Sequence, residues 1–199
     1  MGSVGLARAV FLDRDGVINK NVYYESTGEW ESPRSPDHFE IADGVLDVLR
    51  ELQSAGFLLF VVSNQPNYAK GKAAMETLNA IHQRLADALD QAGIHFSGFY
   101  YCYHHPEGIV PSHSFECDCR KPSPHFLMHA ASEFHINLAD SWIVGDRDTD
   151  IQCGHAAGTR AIRIIDELGN GLEKADYNVS DLAAAAEIIL RESTSGTRA

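Results

Sequence analysis

The chain has 199 residues, 44% of them hydrophobic, and a formal net charge of −12. That length suffices for one domain with a full core, and the apolar share excludes a disordered or fibrous chain. So acidic a balance argues against nucleic acid or an anionic membrane as partner, since both require a basic face. In chain order, Ala9 to Asp13 is a short apolar run bounded by charge and reads as a buried strand. Val45, Leu46, Val48, Leu49 and Leu52 form the stripe of a helix that ends at Gly56. Phe57 to Asn64 is a second buried strand, and Lys70 to Gly93 has the pattern of a long helix stopped by glycine. Gly98 to His104 is a third strand, followed by a helix from Pro124 to about Phe134 with proline near its start. Ser141 to Asp146 is a fourth strand, Asp148 to Gly158 a short helix and Thr159 to Ile165 a fifth strand. Ser180 is placed to cap a last helix from Asp181 to Glu192, and Ser193 to Ala199 reads as a frayed, flexible polar tail.

Alternating strands and helices, with strands apolar along their length, define an α/β fold. The expectation is a three-layer, Rossmann-like doubly wound parallel sheet covered on both faces, a single domain over 1–199 with its core at about 8–192. No apolar run is long enough to span a bilayer, and Met1 to Gly16 lacks a signal peptide's apolar core and cleavage site. A cytoplasmic location follows as the expectation, and there the four cysteines suggest metal before disulfide. Ligands of such sheets bind outside the carboxyl ends of the strands. Asp13 to Gly16, Ser63 to Gln65, Cys102 to His105 and Gly145 to Arg147 should therefore converge on one rim.

Two carboxylates one residue apart, Asp13 and Asp15, repel unless a cation or proton shares them. An ordinary Asp-Gly turn is the bland alternative. The second acidic strand end, from Asp146 to Asp150, shifts the balance, because Asp13 and Asp146 together would make an oxygen-rich, partly hydrated site suited to magnesium. Ser63 and Asn64 supply a hydroxyl and an amide, although Ser63 alone would more often cap a helix. Lys121 is a compact charge suited to a phosphate oxygen, and Arg120 a planar fork suited to bidentate contact. A lone lysine is usually solvated surface, so its position directly after Cys117 and Cys119 matters.

Asp13 to Val17, Ser63 after an apolar strand, Lys121 ahead of a helix and Asp146 to Asp150 stand in the order of the four motifs of the haloacid dehalogenase superfamily of aspartate-nucleophile phosphatases. The chain resembles that superfamily over about residues 8 to 165. The resemblance implies that Asp13 attacks phosphorus and Asp15 serves as acid and then base. It implies magnesium held by Asp13, the backbone carbonyl of Asp15 and Asp146, with Ser63, Asn64 and Lys121 binding the phosphoryl oxygens. Cys102, His104, Cys117 and Cys119 follow a C-x-H, loop, C-x-C spacing that would close as a structural zinc tetrahedron. His105 is an alternative ligand, and the resemblance favours His104. Cysteines in C-x-C on a strand would point to opposite faces, which speaks against four unrelated core residues. Cys153 reads as a packing residue.

A zinc loop ahead of Cys119-Arg120-Lys121-Pro122 is similar to a subgroup with two branches, heptose bisphosphate phosphatases and histidinol-phosphate phosphatases. Both lack a large cap domain, and Ile18 to Ala42 is too short to fold as one. The long Ser/Pro-rich loop between His104 and Cys117 looks like the heptose branch; the histidinol branch has a much shorter one. Arg147 stands where the heptose branch usually has lysine, and Pro66 and Asn67 replace its Ser-Gly, with proline removing a backbone donor. Loop length weighs most because it changes the pocket's shape. The resemblance thus implies a monomeric magnesium enzyme that releases the 7-phosphate of a heptose bisphosphate. Asn21, Tyr23 and Tyr24 would stand at its entrance, and Arg120 and Arg147 would recognise the substrate. A histidinol phosphate or another small sugar phosphate is the alternative substrate.

Overall fold

In the computed structural model, which describes residues 6–165 and 171–195, the chain opens with strand β1 (Arg8–Leu12). An excursion carries the short strands β2 (Val22–Tyr24) and β3 (Glu29–Glu31), after which, save for two successive strands before the last helix, strands and helices alternate. They are α1 (Val45–Ser54), β4 (Phe57–Asn64), α2 (Met75–Gln91), β5 (Gly98–Cys102), α3 (His125–Phe134), β6 (Trp142–Gly145), α4 (Asp148–Ala157), β7 (Arg160–Ile164), β8 (Tyr177–Val179) and α5 (Leu182–Ser195). The main sheet has the order β5-β4-β1-β6-β7-β8, with every neighbouring pair parallel. β1 sits where the strand order reverses, so the crevice expected of a doubly wound sheet opens beyond Leu12.

Period-two alternation sorts the strand side chains between two cores. Val10, Leu12, Leu59, Val61, Trp142 and Val144 pack with α1, α2 and α5 on one face. Ala9, Phe11, Phe60, Val62 and Ile143 pack with α3 and α4 on the other. Phe11 and Phe60 stack at 5.2 Å in the second core. Both faces are apolar because both are covered, which is why these strands read as unbroken hydrophobic runs.

Four local expectations need correction. Residues 70–74 are not helical: Gly71 takes a left-handed φ of 65°, Lys70 N–H bonds Pro66 O and Lys72 N–H bonds Asn67 O, so α2 begins only at Met75. The cap of α5 is Asp181, whose Oδ1 accepts the Ala184 N–H, while Ser180 donates to Asp181. That helix runs through Ser195, past the expected end, and residues 196–199 of the expected tail lie outside the described residues. Cys117 and Cys119 lie in a turn rather than a strand, which is how both can face one point. The 18–42 excursion forms the β2–β3 hairpin and a short helical turn at Pro36–His38, with no large cap. No helix among the described residues is long and apolar enough to cross a membrane.

Candidate active site

The ends of β1, β4 and β6 bring Asp13, Ser63 and Asp146 to one rim, and the loop after β5 adds Lys121. Asp13 is fixed by its own N–H, which donates to Val144 O on β6 at 2.9 Å. Lys121 enters from the side with its ammonium buried. It donates to Val62 O at 2.6 Å and ion-pairs with Asp13 Oδ1 at 3.0 Å and Asp150 Oδ1 at 2.5 Å. The side chain of Asn64 holds the Lys121 backbone at both ends, donating to its carbonyl and accepting its N–H, each at 3.0 Å.

Asp13, Asp146 and Asp150 each offer a carboxylate oxygen within 4.8 Å of the others, close enough for one ion. Two glycines permit this. A side chain on Gly16, which has a φ of 83°, would collide with Asp146, and one on Gly145 would collide with Asp150. Asp146 Oδ1 is buried with no hydrogen-bond partner, and Arg147 Nε stands 3.9 Å away. Burial, followed by the charges of Asp13 and Asp150, pushes the Asp146 carboxyl up to about 7. For Asp13, burial acts upward, but Lys121 and the Ser63 hydroxyl outweigh it and hold the carboxyl below its ordinary value. A crowded oxygen cluster with one orphaned oxygen suits a hard divalent cation such as magnesium, which would relieve the repulsion. Asp150 belongs to this set, and the sequence reading missed its role. Its signal was the four-residue spacing from Asp146 across a helix start, which returns both carboxylates to one side.

Asp15 is turned toward a different set. Its oxygens accept bonds from Arg14 at 3.0 and 3.1 Å, Asn19 Nδ2 at 2.9 Å and Gln65 Nε2 at 2.6 Å. Gln65 also donates to Ser63 Oγ at 3.0 Å and accepts from Arg14, so the second carboxylate and the hydroxyl share one network. Arg14, buried to 1% exposure beneath the rim, is the part that sequence reasoning passed over. A charged residue between two aspartates looks solvated on paper.

The second cluster lies beyond β5. The Sγ atoms of Cys102, Cys117 and Cys119 are 3.3 to 3.5 Å apart, and His104 Nδ1 lies 3.8 Å from Cys102 Sγ and 3.4 Å from Cys119 Sγ. No pair approaches the 2.05 Å or so of a disulfide, and the edges are near the roughly 3.8 Å of a tetrahedron with zinc–sulfur bonds of about 2.3 Å. The donors therefore fit a closed zinc site. His105 is turned away, its Nδ1 accepting the Glu107 N–H at 3.1 Å, so His104 is the imidazole of the cluster. The chain leaving Cys119 runs straight into Arg120, whose Nη1 donates to His104 O at 3.3 Å, and then Lys121.

A cavity of about 420 Å³ opens on the rim, with Asp13, Lys121 and Asp150 at its base and Trp30, Lys70 and Arg120 on its walls. Asn64, Asp15 and Arg147 also reach it. Asn21 lies outside it, donating to Asp146 at 3.4 Å and lining a second cavity of about 890 Å³. Tyr24 lines neither cavity; its hydroxyl accepts the Arg34 N–H at 2.8 Å and meets His38 Nδ1 at 3.2 Å. Tyr23 is exposed and packs on Trp30.

A doubly wound sheet whose rim joins three carboxylates, a buried lysine and a cavity is the arrangement expected of an α/β enzyme that handles phosphoryl groups with a divalent cation. Comparison with known proteins gives the particular branch. Residues 118–185 match the HAD-hydrolase-like family model. The D-glycero-beta-D-manno-heptose-1,7-bisphosphate 7-phosphatase of Escherichia coli K12 is 40% identical over 156 residues, covering 77% of this chain and 78% of that protein. Its counterpart in Vibrio cholerae is 37% identical over 150 residues, with 75% and 76% covered. The crystal structure of D,D-heptose 1,7-bisphosphate phosphatase from B. bronchiseptica, complexed with magnesium and phosphate, superposes with a TM-score of 0.77 at 30% identity, over 93% of this chain and 99% of that one. The chain belongs to the haloacid dehalogenase-like hydrolases, in the family that contains these heptose bisphosphate phosphatases.

Proposed function

We propose that the chain is a magnesium-dependent phosphatase that removes the 7-phosphate of a D-glycero-D-manno-heptose 1,7-bisphosphate, with zinc as a structural metal. The observation that carries this is the buried Asp13 carboxylate, paired with Lys121 at 3.0 Å and crowded by Asp146 and Asp150 at the base of a cavity of about 420 Å³. The relatives that are named for this reaction support the choice of substrate.

Asp13 is the nucleophile. Its carboxyl is held ionised, and a covalent aspartyl-phosphate divides one hard displacement into two easier ones. Lys121 and Ser63 flank it and take the charge that develops on the equatorial phosphoryl oxygens. Asp13, Asp146 and the Asp15 carbonyl would hold magnesium, with Asp150 beside them; when bound, that ion offsets the repulsion between carboxylate and phosphate. Asp15 serves the leaving oxygen and then the attacking water. Both of its oxygens are engaged by Arg14, Asn19 and Gln65, so it must release a bond, such as that to Gln65, before it can meet the substrate. Arg120 and Arg147 both line the cavity and serve as substrate contacts. A monomer acting in the cytoplasm is part of the same proposal.

The test sets both anomers of the heptose 1,7-bisphosphate against histidinol phosphate, with products read by phosphorus NMR. The expected result is loss of the 7-phosphate signal with the 1-phosphate retained, at a kcat/KM at least about tenfold above histidinol phosphate. A preference for histidinol phosphate would overturn the substrate assignment.

A further inference from the structure

The cations around the cavity of about 420 Å³ are not equally neutralised. Lys121 pairs with Asp13 and Asp150, Lys72 with Glu31 at 2.7 Å, and Arg147 reaches Asp146 at 3.9 Å. Lys70 and Arg120 form no ion pair among the described residues. They face each other's field instead. Burial, then the charges of Lys72 and Arg120, disfavours the ammonium form of Lys70 and outweighs the opposing charges of Glu107 and Glu31. Two cations without an ion pair, lining one cavity, stand out in a chain with a net charge of −12, although those two carboxylates offset part of the field at Lys70. Such a pair is costly in the empty protein and complementary to an anion placed between them.

Both cations are also fixed by the same loop. Arg120 follows Cys119 directly, and its guanidinium reaches His104 O. Lys70 sits in the turn after β4, where Ala69 O accepts N–H groups from Ile109 at 2.7 Å and Val110 at 3.1 Å. Gly71 lies so close against Ile109 that a side chain there would collide with it. The 105–115 segment that links the two halves of the cysteine–histidine cluster thus holds the turn that carries Lys70. The base of the cavity already has its own lysine for the reacting phosphoryl group, so Lys70 and Arg120 serve the other end.

We propose that Lys70 is a specificity-determining residue that, together with Arg120, receives the anionic group at the non-reacting end of the substrate, at a distance set by the cysteine–histidine loop. This rests on the phosphatase reading above. A phosphate is the group that fits, since a compact ammonium and a planar guanidinium offer it separate donors.

The experiment compares heptose 1,7-bisphosphate with heptose 7-phosphate, which share the reacting end and differ only in the distal phosphate. In the wild type the bisphosphate is the better substrate. Lys70→Met lowers the bisphosphate-to-monophosphate ratio of kcat/KM at least tenfold, with the loss in KM for the bisphosphate rather than in kcat, and Lys70→Arg restores most of it. Zinc content and circular dichroism show that the variant is folded. A wild type that does not favour the bisphosphate overturns the substrate reading. A wild-type preference that survives intact in Lys70→Met, or a variant that loses both substrates equally through kcat, overturns the role given to Lys70.

Discussion

The two ligand clusters of this chain differ in what they leave over. Around Cys102, His104, Cys117 and Cys119, the four donor atoms face one point, with five of their six edges at 3.3 to 3.8 Å and all within 4.8 Å, and no side is left for a substrate. Around Asp13, Asp146 and Asp150, the donors meet a buried lysine and open on a cavity of about 420 Å³. The soft, closed set builds structure, and the hard, open set is electrostatically unfinished until a cation and a phosphoryl group arrive. A single chain segment, Cys119-Arg120-Lys121, joins them, so the closed cluster positions the open one.

The largest expected effect separates the two. Asp13→Asn removes the proposed nucleophile and is expected to lower turnover by at least about a thousandfold, while zinc content and the far-ultraviolet spectrum stay those of the parent. Near-normal phosphate release from that variant would take Asp13 out of its role. Lys121→Met comes next. It leaves Asp13 and Asp150 buried without their shared cation, which destabilises the fold by about 3 kcal/mol in denaturant titrations and also lowers kcat. Unchanged stability would mean that the carboxylates are neutralised by other means. Smaller again is Cys117→Ser, in which zinc per chain drops below one and activity falls about tenfold to a hundredfold through loss of loop order. If zinc stayed at one per chain with activity unaltered, the closed-tetrahedron account would fail.

Sequence carried the comparison further on one side than on the other. The cysteine–histidine set was legible because four candidate ligands lie within eighteen residues, Cys102 to Cys119, and soft donors so spaced have few other uses. The strand ends carrying Asp13, Ser63 and Asp146 were legible because buried parallel strands are apolar runs and ligands gather past their ends. The roles of Asp150, Arg14 and Gln65 were not, although Gln65 stood on the expected rim, since each depends on Lys121, Ser63 or another partner far along the chain or on burial that composition hides. Arg14 is the clearest instance: flanked by two acids it looks solvated, yet it is 1% exposed under Asp15 and Gln65. The turn at Lys70 was hidden by helical periodicity, although Gly71 marked the break. Tyr24, expected at the entrance, instead braces the hairpin through Arg34 and His38.

The cavity's two walls offer the finest test of the comparison, because one is tied by the cysteine–histidine cluster and the other by ion pairs and one neutral hydrogen bond. The β2–β3 hairpin is held to the 66–72 turn through Glu31, which bonds Lys72 and Arg34 at 2.7 Å each, and through Ser32 and Asn67 at 3.0 Å. Burial alone would raise the Glu31 carboxyl, but the bonds from Arg34 and Lys72 prevail and hold it at about 2, against an ordinary 4.5. A carboxyl depressed in the folded state contributes stability that is fully present above the unfolded value and is lost as pH falls through the folded one. The hairpin anchor should therefore persist down to about pH 5 and weaken progressively from about 4.5 toward 2. Because the pair is partly open to solvent, its contribution is about 1 kcal/mol. Trp30, adjacent to Glu31 and 64% exposed, reports locally by fluorescence, whereas Trp142 is wholly buried in the sheet. Glu31→Gln should loosen the hairpin at pH 7, seen as greater quenching of Trp30, and flatten the acid dependence between pH 5 and the onset of global unfolding. Wild type and variant tracing the same pH curve would show that Ser32 and Asn67, not the ion pair, hold that wall.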